Sequence, residues 1–453
     1  ERAGLSVPIV RERLTALHEA QPAPSDNELF NAARNWSLAH RYDPEFLTDA
    51  FLIAVIRANP EFEHTVANFG INSIHLEQLL RVETGDQTQE KVEDPGHALA
   101  VFARPDSTGE MDVARVMDAN FNRAREAARA LEDYCRFIRN DRFLTAQIKD
   151  LRHNLAEIFM RIPPGLLLTA RETLQDVGTT VTALSEYERN SPSQVATANL
   201  KRLQESLRTL EEFGKLFAQQ FGRDFESVRY RAYTLEKALC GGSHNREKMA
   251  RAKLYALLTG SQCHSSLDWT VERAVAGGVD IIQLREKTLS DRELLARARD
   301  MRRWTHEAGV LFILNDRPDI ARLCDADGVH LGQDDLSIQD ARRILGSNAL
   351  IGKSTHSIEQ VRQAVLEGAD YLGIGPVFPS STKSFDNYPG LEFIRAASAE
   401  TSLAAFALGG ITPANLEQVV SAGAKRIAVG SAIAKTDDPE QVSRFFRTII
   451  DNR

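Results

Sequence analysis

Three polar side chains alternate along one predicted strand and its carboxyl end. Gln283, Arg285 and Lys287 are spaced two residues apart within residues 283–287. Because successive side chains of a strand point to opposite faces, this spacing directs an amide and two cations to one side. Charge-assisted hydrogen bonds from such cations suit a phosphate group. The run therefore predicts an anion-binding site.

Two acidic side chains follow the next two predicted strands. Asp316 lies between Asn315 and Arg317, and Asp335 comes after the segment that contains His330. Two carboxylates at adjacent strand ends, beside a bound anion, are the ligands that Mg²⁺ prefers. The sequence therefore predicts a Mg²⁺ site held by Asp316 and Asp335. Taken alone, Asp316 is better explained as a helix cap and Asp335 as an ordinary loop acid.

Glycines follow the last two predicted strands. Gly409-Gly410 comes after the seventh strand, and Gly430-Ser431 after the eighth. Glycines that open helices at this end of a barrel present backbone N–H groups to phosphate, so they predict a second anion site. The alternative for Gly409-Gly410 is a turn that requires positive φ.

The fifth and sixth predicted strands contribute hydroxyls and a cation. Ser354 ends the fifth strand, and a long loop after the sixth contains Ser380, Thr382 and Lys383. A lysine that ends a hydroxyl-rich loop can complete an anion site, although a single loop lysine is usually solvated. We interpret His356 as a structural or rim histidine.

These clusters are ordered by a regular pattern of strands and helices in residues 253–453. The predicted strands are 253–259, 280–286, 310–315, 328–331, 350–354, 371–377, 404–408 and 426–429. Eight strand–helix units in about 200 residues are typical of a (β/α)8 TIM barrel, whose site lies at the carboxyl ends of the strands. All the clusters should therefore meet at one mouth.

Two anion sites at one mouth predict a particular kind of reaction. They fit the joining of two phosphorylated molecules, or a diphosphate leaving group and a phosphorylated acceptor. Mg²⁺ and the cations would stabilise charge on the departing diphosphate. The backbone site would hold the acceptor's phosphate and fix its nucleophile in line.

Residues 112–240 have a helical pattern that repeats at an offset of about 79 residues. Asn, Arg, Glu and Arg recur at steps of three, at Asn120, Arg123, Glu126 and Arg129 and again at Asn199, Arg202, Glu205 and Arg208. The repeat indicates a duplicated α-helical domain. The polar rows are either solvated charge ladders or the two walls of one polar cleft.

The rest of the chain predicts a multidomain organisation. Residues 1–82 have helical periodicity and form a small all-α N-terminal domain, followed by a linker at 83–111. A second linker at 241–252 leads into the barrel. The predicted fold is thus two all-α domains followed by a TIM barrel.

Composition excludes several classes of protein. The chain has 453 residues and a net charge of −8, which argues against a nucleic-acid partner. No apolar run approaches the ~20 residues of a membrane span. The four cysteines show no CxxC spacing, so we expect a reducing cytoplasm and neither a zinc ribbon nor disulfides. No secretory signal is visible.

The barrel motifs resemble those of thiamine phosphate synthase. The resemblance rests on residues 283–287, 315–317, 328–333, 354–356, 375–379, 382–383, 409–412 and 430–432. That family joins 4-amino-2-methyl-5-hydroxymethylpyrimidine diphosphate to hydroxyethylthiazole phosphate and releases diphosphate. It implies a dissociative path, in which the diphosphate leaves before the thiazole nitrogen attacks.

The resemblance implies a role for each matching residue. The pyrimidine diphosphate would be bound by Gln283, Arg285, Lys287, Asn315, Lys383 and Ser354. Mg²⁺ would be bound by Asp316 and Asp335. The thiazole phosphate would be bound by Ser380, Thr382, Gly410, Gly430 and Ser431. Small molecules are the implied partners, and a homo-oligomer is possible.

The helical regions carry two further resemblances. The repeated pattern is similar to a domain found fused ahead of this synthase and proposed as a hydroxymethylpyrimidine phosphate kinase, although no phosphate loop is present. Residues 1–82 resemble the N-terminal domain of Clp-type chaperones, which implies a binding module.

Two other functions fit parts of the pattern. A thiazole tautomerase on the same barrel needs the thiazole phosphate site but no metal and diphosphate site. A helical scaffold or regulatory protein with an inactive barrel needs neither. The charged residues at the strand ends favour the synthase over both.

Overall fold

The computed structural model describes residues 108–171, 189–241, 243–379 and 388–452. The predicted N-terminal domain at 1–82 and most of the linker at 83–111 lie outside the described residues, so both stay predictions. The described residues belong to one compact unit that contains helices and a barrel. Within the described ranges, no helix is long and apolar enough to cross a membrane.

Long amphipathic helices form the first part of the described chain. They are α1 Thr108–Asp133, α2 Arg142–Met160, α3 Pro164–Ala170, α4 Pro192–Phe217 and α5 Gln219–Cys240, with a π-helical turn at Tyr134–Ile138 between α1 and α2. Ser191 caps α4 by accepting a hydrogen bond from the backbone N–H of Gln194, and Pro192 occupies the first turn. The duplicated motifs lie on α1 and α4, which pack against each other.

Each copy of the repeat also contains a buried acid in an ion pair, Glu132 on α1 and Glu211, 79 residues later, on α4. Glu132 accepts a hydrogen bond from Nε of Arg152 on α2, at 3.0 Å. Glu211 accepts one from Nε of Arg229 on α5, at 2.6 Å. In each copy of the repeat, the acid and the arginine come from consecutive long helices. The two copies therefore pack in the same way.

The middle two residues of each polar row are exposed. Arg123 and Glu126 on α1, and Arg202 and Glu205 on α4, all face solvent. The repeated asparagine Asn120 donates to the carbonyl of the residue four positions earlier in its own helix. These positions fit a solvated charge ladder, and the single polar cleft stays a prediction.

The predicted (β/α)8 barrel is confirmed. Eight parallel strands form a closed barrel in chain order, each paired with its sequence neighbour and the eighth with the first. They are β1 Leu254–Leu258, β2 Ile281–Leu284, β3 Leu311–Asn315, β4 Gly328–Leu331, β5 Leu350–Thr355, β6 Tyr371–Ile374, β7 Ala404–Leu408 and β8 Ile427–Val429.

Helices surround the barrel. After α6 Ser243–Arg251, they are α7 Leu267–Ala276, α8 Asp291–Ala308, α9 Pro318–Leu323, α10 Ile338–Leu345, α11 Ile358–Glu367, α12 Gly390–Glu400, α13 Leu416–Ser421, α14 Ser431–Ala434 and α15 Pro439–Asp451. The barrel interior contains a packed layer with Tyr255, Tyr371 and Phe406 among its buried members. This layer closes the barrel below its mouth, so the interior is not a pore.

Buried hydrogen bonds join the helices to the barrel. Asp141, at the start of α2, accepts from the Thr401 hydroxyl at 2.7 Å and from the Ser402 backbone N–H at 2.9 Å. Most of the predicted linker at 241–252 is in fact helix α6. Its buried Asn245 donates to the Ala349 carbonyl and to Asp370. The barrel is therefore docked on the helices through polar anchors.

Candidate active site

A cavity of about 660 Å³ opens at the carboxyl ends of the strands. Its lining includes every predicted site residue that lies in the described ranges. These are Gln283, Arg285, Lys287, Asn315, Asp316, Asp335, Ser354, Gly410, Gly430 and Ser431. The remaining three predicted residues, Ser380, Thr382 and Lys383, lie outside the described residues.

The two acids lie together on one side of the cavity. Asp316 follows β3 with a left-handed φ of 62°, and its backbone N–H donates to the His330 carbonyl at 2.8 Å. Its side chain forms an ion pair with Lys287. Asp335 accepts a hydrogen bond from the backbone N–H of Gly332 at 2.6 Å. These backbone bonds fix both carboxylates at the rim.

The charge on this acid pair is incompletely balanced. Burial raises the pKa of Asp316, the neighbouring Asp335 carboxylate raises it further, and Lys287 opposes both effects. Lys287 is 53% exposed, so much of its charge is screened by water. The folded chain therefore holds two facing carboxylates beside one solvated cation.

This donor set fits Mg²⁺. Among the described residues, no group of three or more His, Cys, Asp or Glu side chains could hold a metal. Mg²⁺ commonly binds through one or two carboxylates and completes its octahedral shell with waters and substrate phosphates. Asp316 and Asp335 are the residues that would hold it here.

The cationic run after β2 reaches the cavity in a different way from that predicted. β2 ends at Leu284, so strand alternation does not extend to Arg285 and Lys287. Instead, the backbone of Arg285 is held by two hydrogen bonds. Its N–H donates to the Leu258 carbonyl at 2.8 Å, and its carbonyl accepts from the Thr259 hydroxyl at 2.7 Å. Hydrogen bonds to β1 and to the residue after it thus hold the loop that follows β2 at the mouth of the barrel.

The opposite side of the cavity is formed by glycines. Gly409 and Gly410 have φ values of 101° and 63°, and a Cβ on Gly410 would lie 2.5 Å from the Pro379 carbonyl oxygen. The prediction that this pair opens a helix is wrong, since left-handed φ values are not helical and α13 begins only at Leu416. Gly430 does immediately precede α14.

Neutral polar side chains form the floor of the cavity. Gln283 Nε2 donates to the Tyr255 hydroxyl at 2.6 Å, and this hydroxyl lies 3.1 Å from that of Tyr371. His330 Nδ1 is 3.2 Å from the Tyr371 hydroxyl, and its Nε2 is 2.9 Å from Ser354 Oγ. Burial lowers the pKa of His330 to about 4 and raises the pKa of Tyr255 above its usual range. The floor is thus uncharged at neutral pH.

Sequence reasoning missed several residues of the lining. Tyr255, His330, Tyr371 and Phe406 all contribute to the cavity floor. Each lies within a strand rather than after it, so a search of strand ends passes over them. Their inward strand positions were the available signal. His356 also lines the cavity, where its Nδ1 contacts the Gly375 carbonyl.

Comparison with known proteins agrees with this geometry. Residues 254–433 match the family described as thiamine monophosphate synthase. A thiamine-phosphate synthase from Rhodopirellula baltica is 43% identical over 351 residues, covering 75% of this chain and 93% of that protein. Another from Nostoc punctiforme is 41% identical, covering 74% and 93%. The chain belongs to the thiamine phosphate synthase family.

Other similarities divide along the two parts of the chain. Residues 115–238 match the ThiD2 family, which covers the duplicated helices and supports the predicted resemblance of that region. A thiamine phosphate pyrophosphorylase structure from Pyrococcus furiosus is 35% identical, with a TM-score of 0.41, and covers 46% of this chain and 98% of that one.

Proposed function

We propose that the barrel joins 4-amino-2-methyl-5-hydroxymethylpyrimidine diphosphate to hydroxyethylthiazole phosphate. The observation that carries this proposal is that one cavity has two chemically unlike sides. One side has the Asp316–Asp335 pair with Arg285 and Lys287, and the other has glycine backbone. A diphosphate that arrives with a divalent cation suits the first side, and a phosphate monoester suits the second.

The assignments for the pyrimidine diphosphate follow from charge. Arg285 and Lys287 bind the diphosphate oxygens, and Lys383 is proposed to join them. Asn315, at the end of β3, supplies an uncharged donor beside them. The neutral floor, which includes Gln283 and Ser354, takes the uncharged ring because burying a neutral heteroaromatic there costs little.

The assignments for the thiazole phosphate follow from backbone geometry. Gly410 and Gly430 allow the phosphate to approach the main chain, and Ser431 adds a hydroxyl donor at the start of α14. Ser380 and Thr382 are proposed to add further hydroxyls. This set binds phosphate without a metal, so it is distinct from the acid-lined side.

Asp316 and Asp335 are proposed to hold Mg²⁺, which would neutralise charge on the diphosphate as it departs. In the reaction, the bond between the pyrimidine methylene carbon and the diphosphate oxygen breaks, and its electron pair leaves with the oxygen. The thiazole nitrogen then donates its lone pair to that carbon. Arg285 and Lys287 stabilise the leaving charge, and no proton needs to be removed.

The residues present favour the synthase over a thiazole tautomerase. A tautomerase needs the thiazole phosphate side, but it has no use for Asp316, Asp335 and Arg285 at the same mouth. An inactive scaffold would have no reason to keep either side. We propose the two substrates as the small-molecule partners and the cytoplasm as the location.

The test is product formation by the full chain. With both substrates and Mg²⁺, we expect thiamine phosphate and diphosphate in equal amounts, measured by chromatography and a coupled diphosphate assay. Rearrangement of a thiazole phosphate without coupling would support the tautomerase instead. Absence of both reactions would support the scaffold.

We also propose that the duplicated helices phosphorylate hydroxymethylpyrimidine phosphate. The match of residues 115–238 to the ThiD2 family supports this proposal, and the product would be the diphosphate that the barrel consumes. The full chain, given ATP, Mg²⁺ and the pyrimidine monophosphate, should form ADP and the diphosphate. Formation of no ADP would refute it.

A further inference from the structure

The floor of the cavity is a continuous chain of hydrogen bonds, which we call the floor relay. It consists of Gln283, Tyr255, Tyr371, His330 and Ser354, in that order, and it draws on five different strands. Its three central members are at most 7% exposed, so water cannot replace a missing partner there. The two ends, Gln283 and Ser354, each have a single partner in the relay, and both line the cavity.

Counting hydrogens fixes the direction of the relay. Because Gln283 Nε2 donates to the Tyr255 hydroxyl, the hydrogen of Tyr255 must go to its other partner, the oxygen of Tyr371. Tyr371 must then donate to Nδ1 of His330. A neutral imidazole has one N–H, so His330 carries it on Nε2 and donates it to Ser354 Oγ.

This order determines what the two ends offer to a ligand. Gln283 has its amide N–H₂ directed into the relay, so its carbonyl oxygen is the group left for the cavity. Ser354 accepts from His330, so its own hydrogen is directed to the cavity. If the Gln283 amide turned over, every hydrogen in the relay would reverse, and the ends would become a donor at Gln283 and an acceptor at Ser354. The two ends are therefore coupled.

We propose that the floor relay makes Gln283 and Ser354 select the amino form of the pyrimidine together, with Tyr371 as the positioning residue that couples them. This inference rests on the proposed function. The exocyclic amino group of the ring donates to the Gln283 carbonyl oxygen. Ser354 donates to the ring nitrogen para to the amino group, which remains an acceptor when an oxo group replaces the amino group. Both ends are satisfied by one orientation of the relay.

An analogue with an oxo group in place of the amino group meets a conflict. The oxo group needs a donor at Gln283, and turning the amide reverses the relay and removes the donor at Ser354. One end is therefore always mismatched, and a buried mismatch weakens binding. Without the Tyr371 hydroxyl, Gln283 and Ser354 could orient independently, and the oxo analogue would be satisfied at both ends.

The experiment compares affinities of the full chain for the amino and oxo pyrimidine diphosphates in Mg²⁺, by titration calorimetry. We expect Tyr371→Phe to lower the wild-type ratio of affinities about tenfold, which corresponds to about 1.4 kcal/mol. The KM for thiazole phosphate should not change. Tyr255→Phe breaks the same relay at a second point and should lower the ratio similarly.

The matched control is Phe406→Leu. Phe406 packs edge-on against the rings of Tyr255 and Tyr371, at centroid distances of 5.3 and 5.8 Å, but has no polar group. It should leave the ratio unchanged even if overall binding weakens. An unchanged ratio in both tyrosine variants, or an equal loss in Phe406→Leu, would overturn the relay. Binding is measured apart from turnover, so a chain that binds the amino substrate but forms no thiamine phosphate would refute the proposed function and still test the relay.

Discussion

The barrel mouth and the duplicated helices both bury acidic side chains, but they neutralise them differently. In the helices, Glu211 lies against the buried Arg229, at 2.6 Å, so the charge is balanced inside the protein. At the mouth, Asp316 lies beside a second acid, Asp335, and its nearest cation is the half-exposed Lys287. The first arrangement serves folding. The second leaves negative charge for a bound cation to balance, and it places that cation beside the proposed diphosphate.

The largest expected effect comes from removing one of the two acids at the barrel mouth. Asp316→Asn should lower kcat/KM for thiamine phosphate formation by about a thousandfold, because it removes one of two Mg²⁺ ligands. Asparagine tolerates the left-handed φ at this position, so the fold should be kept. Steady-state kinetics over a Mg²⁺ series checks this, and an unchanged Mg²⁺ dependence would refute the ligand assignment.

The next largest effect comes from removing the buried acid of the duplicated helices, which should lower their stability. Glu211→Gln should lower the free energy of unfolding by about 3 kcal/mol, since the buried Arg229 guanidinium then keeps only the half-exposed Glu226 carboxylate, at 3.9 Å. Denaturant unfolding measures this. Glu212→Gln is the matched control, because its carboxylate is 45% exposed and its loss should cost far less than that of Glu211. A kcat for synthesis that fell with Glu211→Gln alone would contradict a purely structural role.

A smaller effect tests whether the glycine side of the cavity binds the thiazole phosphate. Gly410→Ala should raise the KM for thiazole phosphate about tenfold, because the added methyl group collides with the Pro379 carbonyl and the φ of 63° is strained. Gly309→Ala is the control. It has a similar φ of 69°, with no atom within 4 Å of the added methyl, and it lies after α8. Equal KM values for the two variants would misplace the thiazole phosphate site.

The smallest effect concerns stability without metal. The raised pKa of Asp316 means that its ionised form is disfavoured in the folded chain, and this cost is fully present above the folded-state pKa. In metal-free buffer, Asp316→Asn should therefore raise the Tm by about 2 °C. The gain should shrink as the pH falls toward the ordinary aspartate pKa. A lower Tm for this variant would show that the acid stabilises the fold.

The sequence predicted the barrel and most of the cavity because both follow from short-range rules. Strand ends are marked by apolar runs that stop at polar residues, and parallel strands bring those ends together. Asp316 and Gly430 were found in this way. Helix α6 was missed because Met249 and Ala250 are the only apolar residues in its sequence, so its hydrophobic periodicity is weak.

Other features depend on contacts that sequence spacing does not encode. Tyr255 and Tyr371 meet across the barrel interior although they are 116 residues apart. The ion pair of Glu211 with Arg229 gave no signal separate from a surface charge ladder, because a helical repeat does not say which of its faces is covered. Such features are set by packing and closure rather than by local pattern.

The proposed metal site at Asp316 and Asp335 is tested most directly with Mn²⁺, a spectroscopic substitute for Mg²⁺. The measurement is Mn²⁺ binding to the full chain in the presence of inorganic diphosphate. Electron paramagnetic resonance would count free and bound Mn²⁺ in the wild type and in Asp316→Asn. We expect one diphosphate-dependent Mn²⁺ per chain, with affinity at least about tenfold weaker in the variant. Equal Mn²⁺ affinity in the two proteins would contradict the assignment of Asp316 as a metal ligand.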